Sequence, residues 1–220
     1  MKGEGTKVTP LKPGGAESGK RKRGTHGRLL DAGLKLFAQK GFDGTLISDL
    51  ELEAGLKPGT GSFYRHFDSK EEVLREVIVR ETESNHRRYE THEAIIRGSM
   101  GNTRAELILS FRMSLLLFEQ MGDFIQILIR EEDRLTHDAR QLREIMIDGS
   151  WDRQASEMER RIQAGEVVDL DAHALTGIVN SALIGHFLTK RYFHVSAVAG
   201  VDDERFVMTL ADLLTGARKS

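Results

Sequence analysis

The chain has 220 residues, 39% of them hydrophobic and 30% charged, which suits a globular protein of one medium domain or of a small domain joined to a larger one. Because it contains no cysteine, disulfides and thiolate metal sites are excluded, and a reducing compartment such as the cytoplasm is expected. The formal net charge of −2 hides an uneven distribution: residues 1–70 hold 13 Lys and Arg against 8 Asp and Glu, whereas residues 71–220 hold 19 against 26.

Residues 1–24 are polar and basic, contain Pro10 and Pro13, and end in the cluster 20–23, which reads KRKR. This composition predicts a disordered arm. The arm lacks the apolar segment of a secretory signal, and no run in the chain approaches the ~18 apolar residues of a membrane span. The basic front end favours a polyanionic partner, contacted through phosphates or a minor groove, or it is an unspecific tail that aids solubility.

Three short helices are predicted in residues 25–72. Apolar residues that recur four and three positions apart indicate the first helix, over about 25–40. Thr45 can cap a second helix that ends near Ala54, and a turn leads to a third helix around 60–66. Short helices joined by tight turns are typical of a helix-turn-helix, so this segment is predicted to form a DNA-binding domain.

The stretch 59–67, which reads GTGSFYRHF, has the character of a recognition helix. A helix that enters the major groove must be short and must present small or hydrogen-bonding side chains. Gly59 and Gly61 allow the backbone to approach DNA closely, while Phe63 and Phe67 are expected to pack inward. The residues expected nearest the base edges are Thr60, Ser62, Arg65 and His66.

The rest of the chain is predicted to form long helices. Pro58 is the last proline, and 162 residues without proline follow it, which favours uninterrupted helices. Ser69 and Glu72 form a capping box that opens a helix to about residue 97. About nine helices and no sheet make this an all-α fold. The later helices are predicted over about 103–120, 123–134, 137–164, 172–193 and 203–217.

Residues 29–56 read LLDAGLKLFAQKGFDGTLISDLELEAGL, and residues 61–74 read GSFYRHFDSKEEVL. These segments resemble the DNA-binding domain of the tetracycline-repressor (TetR) type regulators. Two features depart from the family pattern: the turn LKPGTG at 56–61 is longer than usual, and Glu51 stands where alanine is common. Both could shift the recognition helix. The matching residues are Phe37, Gly41, Phe42, Thr45, Asp49, Leu50, Ala54, Gly55, Gly61, Ser62, Phe63, Tyr64, Phe67, Lys70 and Leu74.

The resemblance implies a repressor that binds DNA and responds to a small molecule. Thr45, Tyr64 and Lys70 are implied to touch phosphates, and Arg65 reading guanine would be the strongest single contribution to specificity. Tyr64 and His66 have a second interpretation, which is packing against the fourth helix. An alternative function is a helical module that binds a ligand or a protein without binding DNA, and the two departures keep it open.

The same resemblance implies that residues 73–220 form a helical domain for effector binding and dimerisation. Regulators of this type usually dimerise through their last two helices, and a symmetric homodimer predicts an inverted-repeat operator in double-stranded DNA. The alternative for the apolar residues of these helices is burial within one protomer. The predicted interface consists of Leu175, Ile178, Val179, Ala182, Phe187, Phe206 and Leu210.

A ligand pocket is expected between the middle helices, although each candidate residue is also a candidate for ordinary core. An apolar lining predicts a hydrophobic or amphipathic effector. The long helix over 69–97 joins both domains and is the expected lever by which the effector changes the DNA-binding geometry. The candidate lining residues are Phe111, Leu115, Phe118, Phe124, Leu128, Trp151 and His186.

No catalytic residue, metal or cofactor is expected. A helical-bundle metal enzyme would need two Glu-x-x-His pairs, and the chain offers Glu83 and His86 within a strongly polar segment. The acidic group 131–133 with His137 is explained more simply by helix-end charges and surface pairs. The chain lacks a phosphate loop and a nucleophile elbow, so an enzyme is the least favoured function.

Overall fold

The computed structural model describes residues 24–96, 101–135 and 149–216. Within these ranges the regular structure is helical, apart from one β-bridge between Val198 and Val201, which confirms the predicted all-α fold. The α-helices of the described ranges are α1 (Thr25–Lys40), α2 (Ile47–Glu53), α3 (Lys70–Ile96), α4 (Thr103–Gln120), α5 (Gly122–Arg130), α6 (Gly149–Gln163), α7 (Ala172–Phe193) and α8 (Asp203–Thr215), and short 3-10 turns lie at Phe63–Arg65 and Glu132–Arg134.

Two predicted elements fall partly outside the described residues. Of the predicted arm 1–24, the structure describes Gly24. Of the predicted helix 137–164, it describes the part from residue 149 onward, which is α6. His137 lies outside the described residues as well.

The helix-turn-helix half is built around buried aromatic side chains. Phe37 of α1, together with Phe63 and Phe67 of the loop before α3, is fully buried. At Gly33, where α1 crosses α3, an added Cβ would come within 2.8 Å of the Cγ1 atom of Val73, so glycine permits this close packing. The same core continues beyond α3 into the region of α4 and α5, through Leu117, Met121, Phe124 and Ile127.

The C-terminal end of α1 is held by α5 and the turn after it. The buried carboxylate of Glu131 accepts the backbone N–H of Phe42 at 2.8 Å. The guanidinium of Arg130 donates to the carbonyls of Ala38 at 3.1 Å and Gln39 at 3.2 Å. These bonds join the helix-turn-helix directly to a helix that lies far along the chain.

Helix α3 begins where the sequence predicts a capping box. The hydroxyl of Ser69 accepts the backbone N–H of Glu72 at 3.2 Å, which confirms the predicted cap by Ser69. The return bond differs from a capping box, because the Glu72 carboxylate accepts the backbone N–H of Asp68, at 2.6 Å, instead of that of Ser69. At 27 residues α3 is long, yet neither it nor another helix of the described ranges has the length and apolar character that crossing a membrane requires.

Helices α4, α6, α7 and α8 share a second apolar core. Their starts are set by side chains: Asn102 accepts the backbone N–H of Ala105 at 2.9 Å, and Asp171 accepts that of Ala174 at 2.6 Å. Asparagine and aspartate are favoured at this position because their side-chain oxygens satisfy a backbone N–H of the first helical turn. The buried residues that connect these helices include Leu107, Phe111, Met158, Leu183, Phe187 and Val207.

Candidate DNA-binding surface and ligand cavity

The segment between α2 and α3 does not form the helix predicted around 60–66. It forms a single 3-10 turn over Phe63–Arg65. The backbone φ angles of Gly59 and Gly61 are +76° and +69°, values that a right-handed helix cannot contain. The prediction was wrong because these two glycines shape the longer turn instead of starting a helix.

Glu51 holds this segment in place from α2. Its side chain is 3% exposed, and its two carboxylate oxygens accept the backbone N–H groups of Gly59 at 3.0 Å and Phe63 at 3.1 Å. Alanine, which is common at this position in the regulators that the sequence resembles, has no side-chain hydrogen-bond acceptor. The two departures seen in the sequence therefore form one arrangement, in which a buried carboxylate binds the backbone of a longer turn.

The outer side of the segment is polar and exposed. Tyr64 is 62% exposed, and Thr60, Arg65 and His66 are exposed as well, while Ser62 is half-buried. The hydroxyl of Thr60 donates to the carbonyl of Lys57 at 2.9 Å and lies 2.8 Å from the hydroxyl of Ser62. The exposure of Tyr64 and His66 rules against their alternative interpretation as residues packed on the next helix.

The inner side confirms the predicted orientation of the two phenylalanines. Phe63 and Phe67 are 0% and 2% exposed, with ring centroids 5.8 Å apart. The ring of His26 stacks on Phe67 at 4.5 Å, and its Nε2 atom lies 3.1 Å from the Glu76 carboxylate. The exposed polar groups are thus mounted on a packed aromatic base.

Thr45 does not have the position that the sequence predicts. Its side chain is 0% exposed, and its hydroxyl donates to the carbonyls of Gly41 at 2.7 Å and Leu36 at 3.3 Å. The residue that caps α2 is Leu46, without a side-chain bond. This corrects both expectations for Thr45, the cap of α2 and the phosphate contact, because its hydroxyl faces the end of α1.

Lys70 is also turned inward. Its ammonium group donates to the carbonyls of Phe42 at 2.6 Å and Thr45 at 2.8 Å and lies 4.2 Å from the centroid of the Phe42 ring. These contacts tie the start of α3 to the loop between α1 and α2. They correct the expectation that Lys70 points at a phosphate.

Two ion pairs brace α1 against α2 beneath this surface. Lys35 contacts Glu53 at 2.6 Å, and Lys40 contacts Asp49 at 2.8 Å. The hydrogen bond from Lys40 lowers the pKa of Asp49. The carboxylates of Asp49 and Glu53 are therefore paired with lysines of α1.

A cavity of about 140 Å³ lies between α4, α6 and α7, with Tyr89 of α3 at its edge. Its apolar wall includes Leu107, Phe111, Met158, Val179 and Leu183. Its polar wall is larger than the sequence predicts and includes Glu106, Glu157, Arg161, Thr176 and Asn180.

The charged groups of the polar wall are paired with one another. The side chain of Arg161, 13% exposed, contacts the carboxylates of Glu106 at 2.9 Å and Glu157 at 3.0 Å. It also lies 3.4 Å from the carboxylate of Glu166. Two neutral groups of the same wall, the Thr176 hydroxyl and the Asn180 amide nitrogen, are buried and have no hydrogen-bond partner in the structure.

The predicted lining is corrected by this cavity, because Phe111 is the one predicted residue that contacts it. Phe124 and Leu128 pack in the helix-turn-helix core. Leu115 and Phe118 pack in the second core, and Trp151 is half-buried away from the cavity. Apolar periodicity places a residue on a buried face without indicating which buried face encloses a space. The polar residues of the lining were missed because polar residues in an amphipathic helix are expected on its solvent-exposed face.

His186 belongs to a separate cluster between α7 and α8. Its Nε2 atom lies 2.8 Å from the Asp203 carboxylate, and its ring stacks on Phe206 at 4.1 Å. Lys190 donates to the same carboxylate at 2.6 Å. Burial raises the pKa of Asp203, but the hydrogen bonds from Lys190 and His186 outweigh it and the pKa is lowered overall. These contacts make His186 a structural residue.

The predicted dimer residues mostly point into the protomer. Within α7 and α8, Leu175, Val179, Phe187 and Leu210 are buried, and Ala182 and Phe206 are half-buried. This corrects the prediction for the four buried residues, whose alternative interpretation was burial within one protomer. Ile178 is the predicted residue that is exposed, at 62%. The other exposed apolar residues on or beside these helices include Leu170, Phe193, Met208 and Leu213.

The residues considered for a metal site make ordinary contacts. His86 lies 3.2 Å from Glu90, and Glu83 lies 3.7 Å from Arg87, all on the partly exposed surface of α3. Glu131 binds the Phe42 backbone, as described above. In the part of the chain that the structure describes, no group of three or more His, Asp or Glu side chains could hold a metal ion.

Comparison with known proteins places the helix-turn-helix in a family. Residues 29–77 match the family model described as bacterial regulatory proteins, tetR family. The biofilm operon icaADBC HTH-type negative transcriptional regulator IcaR of Staphylococcus epidermidis is 35% identical over 51 residues, which are 23% of this chain and 26% of that protein. The HTH-type transcriptional repressor KstR2 of Rhodococcus jostii is 37% identical over 68 residues, or 31% and 32% of the two chains. The chain therefore matches about a quarter to a third of the length of these curated relatives.

The likeness of the fold extends over nearly the whole chain. The structure of the ketosteroid transcriptional regulator KstR2 of Mycobacterium tuberculosis superposes with a TM-score of 0.63 and 23% sequence identity. The superposition covers 89% of this chain and 95% of that one. It confirms an N-terminal helix-turn-helix followed by a larger helical domain.

Proposed function

We propose that the chain, whose residues 29–77 match the tetR family of bacterial regulatory proteins, is a transcriptional repressor that leaves its operator when a small molecule fills the cavity. The observation that carries the proposal is the exposed segment 60–66. Its polar side chains face outward on a buried aromatic base, and the Glu51 carboxylate fixes its backbone.

The segment 60–66 supplies the contacts to DNA in this proposal. Arg65 has the side chain best suited to guanine, because a guanidinium can bind two acceptors on its major-groove edge. Tyr64 reaches a phosphate, and Thr60 and His66 lie beside the base edges. Thr45 and Lys70 act indirectly, since their polar groups hold the loop that packs beneath this surface.

A homodimer would place two such surfaces on one duplex. Ile178 of α7 and Met208 and Leu213 of α8 are apolar and exposed in the single chain, which supports an interface formed by the outward faces of these two helices. A two-fold axis there predicts an inverted-repeat operator, with half-sites about 34–36 Å apart for one turn of DNA.

The cavity and the DNA surface are connected through the packed helices. Tyr89 lines the cavity, and it lies on α3, whose first residue, Lys70, holds the loop between α1 and α2. A second connection runs through α5 and the turn after it, where Glu131 binds the backbone of Phe42. A ligand that binds one placement of α3 more tightly than another changes the fraction of dimers in which the two segments 60–66 are spaced to fit DNA.

The effector in this proposal is a small molecule that is mostly apolar. The apolar wall of the cavity supports this, and KstR2 of Mycobacterium tuberculosis, which has the same fold, is a ketosteroid transcriptional regulator.

The proposal is tested by selecting bound duplexes from random DNA with the full chain. We expect an inverted repeat and an affinity that falls steeply between about 50 mM and about 200 mM salt, because phosphate contacts release counterions. A screen of small molecules on the selected site then identifies the effector. If no duplex is retained even at low salt, the alternative of a helical module that does not bind DNA is correct.

A further inference from the structure

The cavity contains two buried polar groups that lack partners. The Thr176 hydroxyl and the Asn180 amide nitrogen make no hydrogen bond within the described part of the chain, and the Thr176 side chain is almost fully buried, its residue being 3% exposed. Residues four apart on a helix face the same side, and both line the cavity. Buried polar groups in proteins are normally paired, so these two groups are available to hydrogen-bond a ligand that enters the cavity.

The two groups can share one acceptor. An amide nitrogen donates hydrogen bonds, and a hydroxyl can donate or accept. The atom that satisfies both is therefore an oxygen with two lone pairs, such as that of a carbonyl.

The charges of the lining disfavour an ionic ligand. Arg161 is already bound by Glu106 and Glu157 and lies near Glu166, so it is not available to an entering carboxylate. The neighbouring carboxylates would repel such an anion. An entering cation would compete with Arg161 for Glu106 and Glu157, and with Arg160 for the second oxygen of Glu157.

We propose that the cavity selects a neutral amphipathic molecule whose carbonyl oxygen accepts hydrogen bonds from Thr176 and Asn180. The apolar part of the molecule lies against Leu107, Phe111 and Leu183. The inference rests on the proposed effector cavity and specifies the chemical class of its ligand.

Three probes with the same hydrocarbon chain test the class: octanamide, octanoate and octylamine. Each is titrated calorimetrically into the full chain without DNA. We expect octanamide to bind at least about tenfold more tightly than either ion, because a site built for a neutral hydrogen-bonding group rejects ligands that leave it unpaired. Equal or tighter binding of octanoate or octylamine, or no binding of octanamide, would overturn the proposal.

Variants locate the binding to the two groups. Thr176→Val and Asn180→Leu should each weaken octanamide binding by about tenfold, whereas Ser181→Ala, on an exposed position of the same helix, should not change it. Thr176→Ser keeps the hydroxyl and should retain binding if the valine variant fails to fold. Octanamide affinity that survives both substitutions contradicts the assignment.

Release from DNA is measured separately, on the selected operator. Octanamide that binds the chain but leaves the operator occupied would refute the proposed effector mechanism while the ligand class stands. Operator release by octanoate or octylamine, with no octanamide binding, would refute the ligand class while the effector mechanism stands.

Discussion

The Glu51 carboxylate accepts the backbone N–H of Phe63 at 3.1 Å, and this bond joins α2 to the exposed segment that we propose for DNA contact. A buried carboxylate is tolerated where hydrogen bonds satisfy it. Here both of its oxygens are used, since Gly59 donates to the second at 3.0 Å. The longer turn and the acidic residue therefore depend on each other.

Replacing this residue should loosen the turn. Glu51→Ala leaves two backbone N–H groups without their acceptors, and we expect a loss of about 1–3 kcal/mol in the free energy of unfolding. Glu51→Gln keeps one acceptor oxygen and should lose less. Chemical denaturation measures the loss, and hydrogen exchange should accelerate at the amides of Gly59 and Phe63.

A matched control for this prediction is Glu53→Ala on the same helix. Glu53 pairs with Lys35 at the surface, and exposed pairs contribute about 1 kcal/mol or less. If the two alanine variants were equally stable and exchanged their amides alike, Glu51 would not hold the turn.

Two threonines should separate stability from DNA binding. Thr45→Val removes a buried hydroxyl that donates to two carbonyls, and should cost about 0.5–1.5 kcal/mol of stability. Thr60→Val, at an exposed position, should change stability by no more than about 0.5 kcal/mol but should weaken operator binding. Thermal unfolding and a DNA titration of both variants check this, and a stable Thr45→Val chain would show that its hydroxyl bonds are unimportant.

Two glycines in helices should respond to alanine in opposite directions. A Cβ at Gly33 would lie 2.8 Å from Val73 Cγ1 and 3.2 Å from Val77 Cγ2, so Gly33→Ala should cost about 1–3 kcal/mol by overpacking. Gly177, which points to a different side of α7 from Ile178, has no atom within 4 Å of such a Cβ, and Gly177→Ala should stabilise the chain by about 0.5–1 kcal/mol. Unfolding in denaturant measures both; a neutral Gly33→Ala would mean that α1 and α3 can separate freely.

The Asp203 cluster should make the free energy of unfolding depend on pH. Because its pKa is lowered in the folded chain, ionised Asp203 stabilises the fold above its ordinary pKa of about 4, and this contribution is lost as the pH falls through the lowered value. The free energy of unfolding of Asp203→Asn should therefore approach that of the parent in acid. Lys190→Met should reduce the same pH dependence, and an unchanged dependence would contradict the assigned role of Lys190.

Much of the fold could be predicted because its signals are local. The cap of α3 involves residues close together in the chain: Ser69 accepts the N–H of Glu72 as the sequence predicts, and Glu72 reaches back, although to Asp68. The inward orientation of Phe63 and Phe67 followed from their spacing in a polar stretch. Such features depend on a few bonds along one segment, so one sequence suffices to find them.

The parts that could not be predicted depend on contacts between distant segments. Glu51 was seen in the sequence only as a departure from the family pattern, because the two N–H groups that it binds come from a turn whose path was not known. Thr45 was assigned by its position in a family pattern, but its hydroxyl is satisfied by the end of α1. The cavity was placed among aromatic residues, whereas unpaired polar groups such as Thr176 distinguish it from ordinary core.

The most direct test of the account is a titration of the selected operator with the parent chain, Tyr64→Ala and Arg65→Ala, at fixed salt. Both residues are exposed, so both variants should fold like the parent. We predict that Tyr64→Ala binds every duplex more weakly, and that Arg65→Ala loses about 1–3 kcal/mol of discrimination at one base pair. If both variants bind every duplex as the parent does, the segment 60–66 does not read DNA.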